Sequence, residues 1–180
     1  MNKFGLLIGR FNPIHQGHIK LIKFALKQIK EKLIVIIGSS NTSRTQKNPF
    51  NYDERLKLFQ LSLKPEFLSR IIFCSQDDFN DNIKWSNAIK TTVSIYCFPY
   101  EITLFGYYKD DSSYYLKLFP EYNNSFVNNN FEYGLSSTYI RNEILVIEND
   151  VIKLNRNGIQ NCCHFNNSVK EYLYLLCDLF

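Results

Sequence analysis

The chain has 180 residues, 45% of them hydrophobic and 21% charged, with a formal net charge of +4 and a mean hydropathy of −0.23. That length suits one domain with a sizeable core, residues 1–180, and no apolar run approaches the ~18 residues of a membrane span. So mild a charge fits an anionic small molecule, and with no stretch of dense Lys and Arg among aromatics, nucleic acid is not an expected partner.

The first apolar run, Phe4–Ile8 (FGLLI), reads as a strand, and residues 1–11 lack the pattern of a secretory signal, so the protein is expected in the cytoplasm. The turn GRFNPIHQGH, Gly9 to His18, follows. Ile19, Ile22, Leu26 and Ile29 then recur toward Leu33 at helical steps of three and four. Leu33–Ile37 predicts a second strand, Tyr52–Leu63 a helix with Leu56, Phe59 and Leu63 on one face, and Ile71–Cys74 and Ile102–Phe105 two further strands. The polar tract Asn123–Asn130 (NNSFVNNN) reads as a loop and Ser137–Ile147 as a helix. Residues 155–167 read as irregular, leading to a closing helix over Ser168–Leu179, so that the core lies within residues 4–150.

Strands alternating with helices predict an α/β fold, a doubly wound parallel sheet of Rossmann-like form with right-handed crossovers. Such sheets bind ligands beyond the carboxyl ends of their strands, at the switch in strand order, where the turn after the first strand belongs. The five cysteines (Cys74, Cys97, Cys162, Cys163, Cys177) lack paired spacing and read as thiols. Cys162-Cys163-His164 has no matching second half, so no metal site is expected there.

Two of the three histidines, His15 and His18, sit in the turn Gly9–His18. They could hold a metal, bind phosphate or be an accident of composition. Gly9 permits close backbone approach after the strand and Gly17 a tight helix entry. The helix start offers free N–H groups and partial positive charge, and Arg10 is near, so the setting favours a phosphate.

The form Gly-Arg-Phe-x-Pro-x-His-x-Gly-His, met throughout Gly9–His18, resembles the nucleotidylyltransferase superfamily. It is closest in form to the archaeal-type nicotinamide-nucleotide adenylyltransferases and the bacterial versions that carry a second, Nudix domain. Four more segments extend the resemblance from about Phe4 to Arg141. Gly38-Ser39-Ser40 and TSRTQKNPFNYDER (residues 42–55) resemble the run whose basic residues reach the ATP triphosphate, a role that falls on Arg44 and Lys47. Where archaeal members commonly have a second Arg, this chain has Lys47, a point charge rather than a fork. DDFNDNIKW resembles the mononucleotide-binding segment, which assigns Asp78, Asn82 and Trp85: Asn to read the carboxamide, Trp to stack on the pyridinium. GYYKDDSSYYL resembles the bifunctional branch, giving Gly106, Lys109 and Asp110 to the dinucleotide. LSSTYIR matches the second phosphate-binding helix start, with Ser136, Ser137, Thr138 and Arg141.

The resemblance implies a nucleotidylyltransferase-type sheet and transfer of the adenylyl group of ATP to nicotinamide mononucleotide. Arg10, His15, His18, Lys47 and Arg141 are the implied catalytic donors, and Gly9, Phe11, Gly17 and Ser39 join the ATP phosphates. Mg²⁺ is expected with ATP, held mainly by substrate phosphates and not by protein metal ligands, and a homo-oligomer is compatible with the family. No Nudix box occurs in the sequence, so no pyrophosphatase activity is expected. Preference between the amide and acid mononucleotides stays open, since one Asn serves either.

Overall fold

The computed structural model describes residues 3–108, 111–128 and 136–180. Strand β1 (Phe4–Gly9) passes through the histidine turn into helix α1 (Gln16–Gln28), which returns to β2 (Leu33–Ile37). Helix α2 (Tyr52–Ser62), a single turn α3 (Pro65–Leu68) and β3 (Ile71–Ser75) follow, then α4 (Asn82–Ser94), β4 (Ile102–Tyr108) and β5 (Asn123–Asn128). These five strands form one parallel sheet in the order β3-β2-β1-β4-β5. The chain closes with α5 (Ser137–Ile144), a hairpin of β6 (Leu145–Glu148) and β7 (Val151–Leu154), α6 (Arg156–Asn161) and α7 (Asn167–Leu176).

Period-two alternation sorts the strand side chains between two cores. Leu7, Val35 and Ile37 pack with Ile22 and Leu26 of α1, Phe59 of α2 and Leu173 of α7. Leu6, Ile8, Ile34 and Ile36 face the opposite way, onto Ile89 and Val93 of α4 and Phe119. All five residues of β2 have no exposed surface, as a strand covered on both faces requires. From β1 the chain builds β2 and β3 to one side and later β4 and β5 to the other, so the order switches beside β1. The histidine turn leaves the carboxyl end of β1 at that switch, where parallel sheets open a crevice. Among the described residues, no helix is long and apolar enough to cross a membrane.

Three readings of the sequence are corrected. The tract read as a loop from Asn123 contains edge strand β5, whose ladder with β4 runs from Thr103↔Asn123 to Tyr108↔Asn128. Backbone pairing holds this edge strand although only Phe126 and Val127 of it are apolar and no alternation marks it, which hid it from the pattern. The helix expected to reach Ile147 ends at Ile144. Asn149 and Asp150, at φ 52° and 60°, form the tight left-handed turn that folds the next residues into a hairpin. Residues read as irregular hold α6, capped by the Asn155 side chain accepting from the Asn157 and Gly158 N–H groups. Gly158 is the point where α6 presses on α5: a Cβ there would lie 1.9 Å from the Glu143 carbonyl oxygen. Helix α4, for which no element was expected, starts inside the segment DDFNDNIKW, where Asp81 accepts from the Ile83 and Lys84 N–H groups at 2.8 and 2.9 Å.

Candidate active site

A cavity of about 960 Å³ opens at the carboxyl edge of the sheet. Its floor is the end of β1 and the start of α1, with Gly9, Arg10, Phe11, His15, Gly17 and His18 all lining it. The two histidines form a reciprocal helix cap. His15 Nδ1 accepts from the Gly17 N–H at 3.1 Å, and His18 Nδ1 accepts from the His15 N–H at 3.3 Å. A ring nitrogen that accepts carries no proton, so both imidazoles hold theirs on Nε2, the tautomer fixed by this network. The rings stack with centroids 3.7 Å apart, and Phe11 meets His18 edge-on at 4.9 Å. His15 is buried beneath the half-buried His18, which makes His18 the outer of the two. The spacing that first suggested metal ligands is that of a helix cap, in which each side chain serves the other's backbone.

Beside this turn the wall continues with the start of α5, where Ser136, Ser137, Thr138 and Arg141 line the cavity. Ser136 accepts from the Tyr139 N–H at 3.1 Å as the helix cap. Ser137 Oγ donates to the Pro13 carbonyl at 3.0 Å, which ties this helix start to the histidine turn. Arg141 is buried and donates to the Asn12 carbonyl at 2.9 Å and to Thr138 Oγ1 at 3.0 Å. Burial first, and then the charge of Arg10, pulls Arg141 below the ordinary arginine range. Arg10 and Arg141 face one cavity and, among the described residues, neither forms an ion pair with a carboxylate, a setting that suits an anion.

Ser39 and Lys47 line the side beyond β2. Arg44 does not line the cavity. Its guanidinium forks onto Glu54 at 2.6 and 2.7 Å, donates to the Pro49 carbonyl at 2.9 Å and lies 4.0 Å from the Phe180 ring centroid. The physical reason is Glu54. That carboxylate closes the cap of α2 by accepting from the Asn51 N–H at 2.9 Å, so it stands buried beside the loop and takes the fork, which holds Arg44 above its usual range.

Asp78, Asn82 and Trp85 line the far side, with Asn82 in the first turn of α4. Trp85 is half-buried. It meets Tyr115 and Phe119 edge-on at 6.0 Å while also lining the cavity, so one side chain both packs on the core and faces the cavity. Gly106 of β4 lines the cavity as well, whereas Lys109 and Asp110 lie outside the described residues.

Two residues that hold this geometry escaped the sequence reading. Asn12 is buried and its amide both accepts from the Phe50 N–H and donates to the Phe50 carbonyl, each at 3.1 Å, which joins the histidine turn to the loop before α2. Arg55 is fully buried beneath the ends of β1 and β2. The Asn of RFNP lay within the quoted motif, but nothing in the pattern marked it as a backbone bridge.

Residues 6–143 match the cytidylyltransferase-like family. The chain belongs to that family. A relative from Acinetobacter baylyi, a nicotinamide/nicotinic acid mononucleotide adenylyltransferase, is 41% identical over 125 residues, covering 68% of this chain and 66% of that protein. The nicotinamide-nucleotide adenylyltransferase of Saccharolobus solfataricus is 33% identical over 152 residues, 81% of each chain. Among solved structures, a bifunctional NMN adenylyltransferase/ADP-ribose pyrophosphatase from Francisella tularensis superposes with a TM-score of 0.78 at 26% identity over 99% of this chain and 50% of that one. A structure of such an enzyme from the same organism, complexed with AMP and manganese, gives 0.75 at 23% identity over 98% and 49%. The chain therefore spans about half the length of the bifunctional enzyme it matches.

Proposed function

We propose that this cytidylyltransferase-like protein transfers the adenylyl group of ATP to nicotinamide mononucleotide, giving NAD and pyrophosphate in the cytoplasm. One observation carries the reading: a single cavity is lined by the histidine cap, Arg10 and Arg141 together with Asn82 and Trp85. The first group suits a polyphosphate, the second a flat cationic amide.

The mononucleotide's 5′-phosphate is already ionised at neutral pH, so attack needs no general base. Its oxygen forms a bond to the α-phosphorus of ATP while the bond from that phosphorus to the bridging oxygen breaks, and pyrophosphate leaves with the electron pair. The protein positions the partners in line and stabilises charge on the phosphoryl oxygens. His18, with its proton on Nε2, donates to the α-phosphate, and Arg10, Lys47 and Arg141 neutralise the leaving group. Asp78 is the one carboxylate among the described residues of the cavity wall, a poor cage for a cation but a fit for Mg²⁺ carried on ATP oxygens. When bound there, Mg²⁺ offsets phosphate charge.

The dual name of the Acinetobacter baylyi relative favours a second reading, in which the acid mononucleotide is also taken. Purified protein with ATP and each mononucleotide, compared by kcat/KM, tests both. NAD formation from the amide is expected, and no NAD formation overturns the proposal.

A further inference from the structure

Arg55 makes its hydrogen bonds to backbone carbonyls alone. Nη1 donates to the carbonyls of Arg10 at 2.8 Å and Gly38 at 2.6 Å, Nη2 to Ser39 at 3.1 Å, and Nε to Asn51 at 3.1 Å. Burial pushes the guanidinium down to about 10, with the charge of Asp78 acting against the shift, so it stays cationic at neutral pH. A fully buried cation is expensive, and an apolar side chain of similar size would serve the core at lower cost. What the cation does here is hold three carbonyls at the carboxyl ends of two adjacent strands.

Those carbonyls determine where the next N–H groups point. In a trans peptide the N–H lies opposite the C=O. Drawing the Arg10 and Gly38 carbonyls toward the guanidinium turns the Phe11 and Ser39 N–H groups away from it. Phe11 and Ser39 both line the cavity, and both are held at left-handed φ values of 50° and 52°. Among the described residues, no backbone or side-chain acceptor takes either N–H. Two inward carbonyls thus leave two amides directed at the side where an anion would sit.

We infer that Arg55 is a positioning residue that never touches substrate and sets the Phe11 and Ser39 amides of both loops to meet phosphate oxygens. The inference rests on the reading of the cavity as a site for ATP phosphates. Lysine would keep the charge, but its three donors radiate from one atom and do not span carbonyls of two strands as the planar fork does.

Two measurements on the full chain test this. In the wild-type protein, inorganic tripolyphosphate should shift the Phe11 and Ser39 amide resonances downfield, and adenosine should leave them in place. Arg55→Lys, shown folded by its circular dichroism, should bind ATP about tenfold more weakly and turn over about 10²-fold more slowly, the loss expected from ångström-scale misplacement. Its affinity for adenosine should stay within about twofold, since the misplaced groups meet only phosphate. A folded Arg55→Lys with wild-type ATP affinity and turnover overturns the inference. So do amides that ignore tripolyphosphate, a result that needs no variant to fold. A wild-type protein that makes no NAD would instead sink the proposed function, which separates the two failures.

Discussion

Replacing His18 with alanine separates its part in the helix cap from the donor role proposed for it, because the two losses differ in size. As a cap, His18 accepts one backbone N–H at 3.3 Å, a long bond, and its ring stacks on His15 and meets Phe11. Losing a cap costs about 1 kcal/mol and losing the ring contacts about as much again. For a chain of this length that lowers Tm by roughly 4–8 °C, at about 2–4 °C per kcal/mol. In the donor role proposed for it, the side chain would supply the α-phosphate with a bond strengthened in the transition state, whose loss costs about 10²–10³ in kcat, or roughly 3–4 kcal/mol. The catalytic loss therefore exceeds the structural one. His18→Gln sharpens the contrast, since glutamine at this cap position also accepts the N-cap N–H. It should recover stability without recovering turnover. The assay is kcat at saturating ATP and nicotinamide mononucleotide, well below Tm, beside a thermal melt of each variant. A folded His18→Ala protein within about threefold of wild-type kcat would refute the donor role, against the losses such donors normally show.

Trp85→Ala should raise the KM for nicotinamide mononucleotide by roughly 5–30-fold, the range of a desolvated cation–π contact, with kcat little changed; initial rates against mononucleotide concentration check it. Arg44→Ala should leave the KM for ATP unchanged and cost about 1 kcal/mol in a denaturant titration, since its fork to Glu54 lies outside the cavity and is partly exposed. A tenfold rise in that KM would return Arg44 to the triphosphate. Gly158→Ala forces a methyl group against the Glu143 carbonyl and should cost about 2–3 kcal/mol, measured the same way, with kcat intact at temperatures where it stays folded.

The sheet and most of the cavity wall were legible because their signals are local. Apolar runs mark β1 to β4, and glycine, histidine and hydroxyl residues mark the starts of α1 and α5 that line the cavity. What escaped depends on partners distant in the chain. Nothing in the spacing of His15 and His18 shows that each Nδ1 serves the other's cap, because that emerges only when α1 begins at Gln16. Arg44 and Arg55 look alike as basic residues near a phosphate loop. One is claimed by Glu54 outside the cavity and the other passes beneath it to carbonyls 16 to 45 residues away. Strand β5 was missed because pairing with β4, not its side chains, makes it a strand.

The burial of β2 bears on how the site breathes. The histidine turn and the Gly38 loop leave the two strands most deeply enclosed, and β2 has no exposed residue at all. Asn82, by contrast, stands on the exposed first turn of α4. Amide hydrogen exchange should therefore divide the cavity into two halves. Amides of β1 and β2 would exchange only when the whole domain unfolds, while those opening α4 exchange through local fraying. The edge of the cavity built by β1 and β2 should thus share the stability of the entire fold while the α4 edge loosens locally, and under the proposed function the mononucleotide would meet the part of the wall that yields first.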